Sequence, residues 1–230
     1  MNQETVKKIL KETEQGYDLI SGKFSETRKY FWRGLEFIGD YAKNGDTVLD
    51  FGCGNGRLLE LIGNKDIRFC GTDVSQKLVD IAKQKYPDSD FLKTDPFQPD
   101  LPFPENHFDA VYSIAVFHHF PSKKYREDWA KELYRATKKD GRIIMTVWNL
   151  WQKKYIKNIL ENWWNKIVGK SSLDWNDCYV SFADNGGNKF QRFHHAFTKR
   201  ELRNLFSRAG FKVEKCEIIN GRNTLLVGKK

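Results

Sequence analysis

An apolar strand that runs straight into alternating glycines constrains this chain more than any other feature. Residues 47–56 read Thr47-Val48-Leu49-Asp50-Phe51-Gly52-Cys53-Gly54-Asn55-Gly56, and GRLLELIG (56–63) continues as a helix. Glycines there let a ligand approach bare backbone, with the N–H groups of the next helix at hand. The pattern then repeats. IRFCGTDVS (67–75), SDFLKTD (89–95), FDAVYSIAV (108–116) and GRIIMTVWN (141–149) read as strands, with QKLVDIAKQKY (76–86) and YREDWAKELYRATK (125–138) as helices between them. Strands alternating with helices predict an α/β fold, a doubly wound parallel sheet that binds ligands at the carboxyl ends of its strands.

The remaining chain frames that core. Residues 1–43 are expected to form a helical cap, with helices over about 3–20 and 30–43 joined by the polar segment SGKFSETR. Residues 44–149 are the core, and the Trp-rich stretch 150–190 reads as a helical or irregular insertion. Residues 191–230 supply a helix (198–210, stopped by glycine) and a terminal strand pair. All four parts are expected to make one domain. The polar start is not a secretory signal, and no apolar run approaches the roughly 20 residues of a membrane span. Four cysteines without CxxC spacing indicate neither a disulfide framework nor a zinc knuckle. A soluble, cytoplasmic protein is expected.

Three acids sharpen what the glycine loop can hold. Asp73 closes the second strand, 19 residues past Gly54, where a carboxylate grips ribose hydroxyls. Asp95 closes the third, where it can accept from an adenine amino group. Asp50 precedes the first glycine and can hold an ammonium. An adenosine, a cationic amino-acid end and no phosphate describe S-adenosylmethionine better than NAD, and the absence of GK[ST] excludes a Walker loop.

The arrangement resembles the class I S-adenosylmethionine-dependent methyltransferases, with a Rossmann-like, seven-stranded, mostly parallel sheet flanked by helices. Tyr17, Phe24-Ser25-Glu26-Thr27-Arg28, Ser113-Ile114-Ala115-Val116-Phe117-His118-His119-Phe120, Trp148, and Arg192-Phe193-His194-His195-Ala196-Phe197 followed by Arg200-Glu201-Leu202 narrow it further. In that order they resemble the family that methylates carboxymethyluridine at the tRNA wobble position. The family has a second tyrosine where this chain has His194, and paired tryptophans where it has Thr224-Leu225-Leu226. The resemblance implies methyl esterification of a carboxylate, with S-adenosylhomocysteine as product. Arg28, His119, Trp148, Arg192 and His195 are expected to hold and orient the acceptor. Tyr17, Asp50, Gly52, Cys53, Gly54, Asp73, Val74, Asp95, Pro96 and Ile114 are expected around the cofactor. It also implies tRNA as partner and a small zinc-containing activator subunit.

Charge bears on the substrate. Residues 1–120 carry 15 Lys/Arg against 19 Asp/Glu, whereas residues 121–230 carry 24 against 11. A basic second half suits a polyanion, and the aromatics of 148–175 can stack an unpaired base. RNA, rather than DNA or a membrane, is the expected partner. A small-molecule methyltransferase acting on a metabolite carboxylate or quinone is the alternative. No metal site is expected, because no histidine pair has helical i,i+3 or i,i+4 spacing.

Overall fold

A computed structural model describes residues 1–28, 30–183 and 189–230. The core is a seven-stranded sheet in the order β3-β2-β1-β4-β5-β9-β8. Its strands are β1 (Thr47–Phe51), β2 (Arg68–Asp73), β3 (Asp90–Lys93), β4 (Phe108–Ile114), β5 (Thr137–Trp148), β8 (Lys212–Ile219) and β9 (Asn223–Lys229). The first five run parallel, and β9 lies antiparallel between β5 and β8. β1 is buried at every residue, as a strand covered on both faces must be. Side chains alternate between two cores: Leu49, Val111 and Ile143 pack with Trp129 and Phe206 on one face, Val48, Ala110 and Ile144 with Ile38 and Ala82 on the other.

Crossovers leave β1 toward β2 and β3 on one side and toward β4 and β5 on the other, so the strand order reverses between β1 and β4. The carboxyl ends there open into a cleft. The flanking helices are α1 (Gln3–Thr27), α2 (Leu59–Ile62), α3 (Gln76–Lys85), α4 (Lys123–Ala136), α5 (Ile156–Ile167) and α6 (Lys199–Ala209). Ser75, Ser122 and Thr198 cap α3, α4 and α6 by accepting backbone N–H groups, and Gly210 stops α6 at φ 119°. Among the described residues no helix is long and apolar enough to cross a membrane.

Several sequence expectations shift. The N-terminal cap is one 25-residue helix running through the segment read as a linker, followed by a short 3-10 helix, Glu36–Tyr41. Packing overrides the weak local propensity, because Phe24 of that segment lies against Gly54. Helix α2 begins later than expected, since Gly56 takes φ 74° and delays the first turn. The insertion holds α5 and half of a hairpin, β6 (Asp177–Ala183) paired antiparallel with β7 (Lys189–His195). The expected boundary at 190/191 therefore falls inside a strand. Residues 184–188 of that insertion lie outside the described residues. Its tryptophans divide: Trp151 and Trp163 pack around Leu150 and Ile159, whereas Trp164 and Trp175 face solvent.

Candidate active site

The glycine loop forms the floor of one half of the cleft. Gly52 and Cys53 donate their N–H groups to Thr72 O at 2.7 and 2.9 Å, which folds the loop over the end of β2. Gly52 and Gly54 hold φ of 77° and 55°, a region that favours glycine. A Cβ on Gly52 would stand 2.2 Å from Val116, so this passage is closed to any side chain. Asp73 accepts from Gly54 N (2.8 Å) and Ser75 N (2.9 Å) and lines the cleft beside Val74. Burial pushes its carboxyl up against those two hydrogen bonds.

Asp50, 3% exposed at the end of β1, is pushed up to about 8 by burial and by the Asp73 charge, with Arg57 opposing. Such a carboxyl favours a cationic ligand, which would restore its charge. Cys53, Ile114 and Pro96 line the same half. Asp95 sits between two lining residues, Thr94 and Pro96, but is exposed and accepts from Phe97 N at 2.8 Å. Bare backbone, a buried acid for a cation and a carboxylate at the end of β2 fit an adenosine bearing an amino-acid end.

Helix α1 roofs this half. Asn55 donates from Nδ2 to Ser25 Oγ (3.0 Å) and Arg28 O (3.4 Å), and Asp18 accepts from Ser75 Oγ (2.5 Å). Sequence reasoning missed Phe24, Trp32 and Arg57, all of which line the cleft. Arg57 stacks over Trp32 at 3.3 Å and is lowered to about 9 by burial and by Arg28. Its position two residues past the last loop asparagine was the available signal; Trp32 carried none.

The other half brings Tyr17, Arg28, His119, Trp148 and Arg192 together. Tyr17 OH donates to His119 Nε2 (2.8 Å), and His119 Nδ1–H donates to Phe193 O (2.9 Å). Burial, reinforced by Arg192, pushes His119 down to about 3, so it is neutral at physiological pH. Burial raises Tyr17, with Arg192 opposing. Arg192 lies between the rings of Trp148 (5.1 Å) and Phe182 (4.9 Å), and Arg28 over Phe24 (4.1 Å). The arginine ion pairs among the described residues involve Arg126, Arg135 and Arg142; Arg28 and Arg192 meet no carboxylate. Two guanidiniums thus line the cleft without a carboxylate partner among the described residues, Arg28 donating instead to Thr27 Oγ1 at 3.0 Å, and such an arrangement attracts an anion.

His195 is placed elsewhere. Its Nδ1 lies 2.6 Å from Asp177 and its Nε2 2.7 Å from Glu201, knitting the hairpin to α6 away from the cleft. Neighbouring strand residues face opposite sides, so His194 takes the side toward the cleft. There it stacks on Trp148 and His118 at 5.1 and 5.0 Å between centroids. Sequence reasoning gave His118 and His194 no role. Their 76-residue separation hides a contact that β7 creates by packing against the turn after β4.

Comparison with known proteins bears on the family and the fold. Residues 49–145 match a family model described as a methyltransferase domain. The chain is 31% identical over 210 residues to the tRNA (carboxymethyluridine(34)-5-O)-methyltransferase of Schizosaccharomyces pombe, covering 85% of this chain and 86% of that protein. It is 38% identical over 146 residues to the Xenopus tropicalis protein of the same activity, alkbh8, covering 62% of this chain but only 22% of that much longer relative. The fold matches a putative methyltransferase solved in complex with the Haloferax volcanii Trm112 methyltransferase activator, with TM-score 0.68 and 21% identity over 94% of this chain and 96% of that one.

Proposed function

This chain belongs to the S-adenosylmethionine-dependent methyltransferases, in the family of the fission-yeast carboxymethyluridine enzyme, and on that premise we propose that it esterifies the carboxylate of a carboxymethyl-modified wobble uridine in tRNA. The observation that carries this reading is the pair of guanidiniums, Arg28 and Arg192, that line the cleft and meet no carboxylate among the described residues. When bound, S-adenosylmethionine supplies a methyl group on a sulfonium and leaves as S-adenosylhomocysteine.

A carboxylate, with a pKa near 4, is already ionised at neutral pH and needs no general base. What the chain must provide is position and dryness. Arg28 and Arg192 grip the acceptor's charge, and Trp148 and Phe182 fix the plane of Arg192. Neutral His119 takes no proton from the acceptor; held by Tyr17 and Phe193 O, it forms a fixed wall. Asp50 would hold the cofactor's ammonium and Asp73 its ribose, with Phe24 of α1 lying over the glycine loop. We further propose that a small zinc-containing activator subunit pairs with this chain, as the Trm112 complex of a similar fold suggests, and that the reaction takes place in the cytoplasm.

The test is incubation of the purified chain, alone and with a Trm112-type protein, with labelled S-adenosylmethionine and either carboxymethyluridine-containing tRNA or a metabolite extract. Alkali-labile label in the tRNA is expected. Label confined to the metabolite fraction would replace this reading with a small-molecule carboxylate methyltransferase.

A further inference from the structure

A third guanidinium, Arg57, lines the cleft on the side of the glycine loop, directly after Gly56. It is only 8% exposed, yet among the described residues no hydrogen bond or ion pair holds it. Its one contact is with Trp32, whose ring lies 3.3 Å from the centre of the guanidinium. Stacking covers a face of the group and leaves its N–H edges free, so the fork is held flat before any ligand arrives. A guanidinium at that depth offers five donors, and an acceptor that enters the cleft recovers what their burial costs.

The charges around it place it in the cleft. Burial and the Arg28 charge lower Arg57, and Asp50 opposes them. Arg28 in turn feels Tyr17 and Arg192, and Arg192 acts on His119. The three arginines therefore run in series, Arg57 at the Asp50 end and Arg192 at the His119 end. Asp50 and Arg57 act on one another without an ion pair between them among the described residues. S-adenosylmethionine carries its ammonium and its carboxylate on one carbon atom, so the group that meets the carboxylate must stand near the one that meets the ammonium. We propose that Arg57, held flat by Trp32, takes the carboxylate of the cofactor's amino-acid end, which leaves Arg28 and Arg192 for the acceptor. Asp50 and Arg57 then read a zwitterion, one charge each. The assignment rests on the family's cofactor and not on the tRNA acceptor.

The test is calorimetry of the full chain with three ligands: S-adenosylhomocysteine, its decarboxylated counterpart, which keeps the ammonium, and methylthioadenosine, which has neither group. The native chain is expected to favour the first over the second by about tenfold or more, the worth of a charge-assisted pair of hydrogen bonds. Arg57→Gln is expected to bring that ratio close to one while binding methylthioadenosine as the native chain does, which reports an intact adenosine pocket. Arg57→Lys keeps the charge but not the fork, so it is expected to retain part of the ratio, and it carries the test if the glutamine variant does not fold. Trp32→Leu is expected to lose part of the ratio as well, by freeing the plane of Arg57. Equal binding of the first two ligands by the native chain overturns the assignment. So does a ratio that survives Arg57→Gln, or one that Arg28→Gln abolishes instead. An arginine that merely ties Trp32 to the loop would weaken all three ligands alike on substitution, and that result also overturns it. No methyl acceptor enters the measurement, so failure of the tRNA reading and failure of this one are seen separately.

Discussion

Asp50 and the arginines Arg28 and Arg192 divide the chemistry of the cleft between a cation and an anion. A carboxyl raised to about 8 is protonated at neutral pH in the free chain, and a bound ammonium favours its ionised form. Cofactor affinity is therefore expected to rise with pH up to about 8 and then level off, with a proton released per binding event at pH 7. Calorimetry in buffers of differing ionisation enthalpy checks both, and Asp50→Asn should abolish the proton release. Arg192→Lys keeps the charge but loses the fork and the stack on Trp148 and Phe182. It is expected to raise KM for the RNA by about tenfold or more while leaving cofactor affinity unchanged. The glycine loop and Asp73 were legible at this scale because strand, turn and acid lie close in sequence. The meeting of His118 and His194 was not, because only the packing of β7 against the turn after β4 brings the two rings together.

Among elements, the hairpin of β6 and β7 shows how one strand serves two purposes. Its period of two sends His194 against Trp148 and His118 and His195 to a buried network with Asp177, Glu201 and Arg126. Strand alternation lets at most one of the pair face the site, and the packing of β7 against the turn after β4 turns His195, the residue expected there, away from it. Removing the imidazole leaves Asp177, which is fully buried, without its side-chain partner. His195→Ala is expected to cost about 3–5 kcal/mol of stability, seen as a lowered Tm, with little change in kcat per folded molecule. A large fall in kcat at full stability would return His195 to the chemistry. The hairpin itself was hard to see in the sequence, since a Trp-rich stretch lacks the clean alternation that marked β1, β4 and β5.

For the whole molecule, the sheet order follows from the strand–helix alternation, and the reversal between β1 and β4 is what turns seven ordinary strands into a cleft. The excess of positive charge belongs to the half of the chain that builds α4, α5, the hairpin and α6. RNA retention is expected to weaken with a log–log salt slope of roughly −2 to −3 if three or four phosphates are neutralised. Filter binding between 50 and 200 mM salt measures it, and a flat profile would remove the polyanion from the account. Trp164 and Trp175, exposed beside Lys166, offer stacking faces outside the cleft.

The reach of α1 has a kinetic consequence. Through Phe24 and Ser25 it lies on the glycine loop, and through Tyr17 it holds His119, so one rigid rod touches both reactants' chambers. Exchange of spent cofactor and release of product are then expected to share one opening event, the undocking of a helix rather than two independent doors. Hydrogen exchange along Gln3–Thr27 should slow together in both chambers when S-adenosylhomocysteine is added.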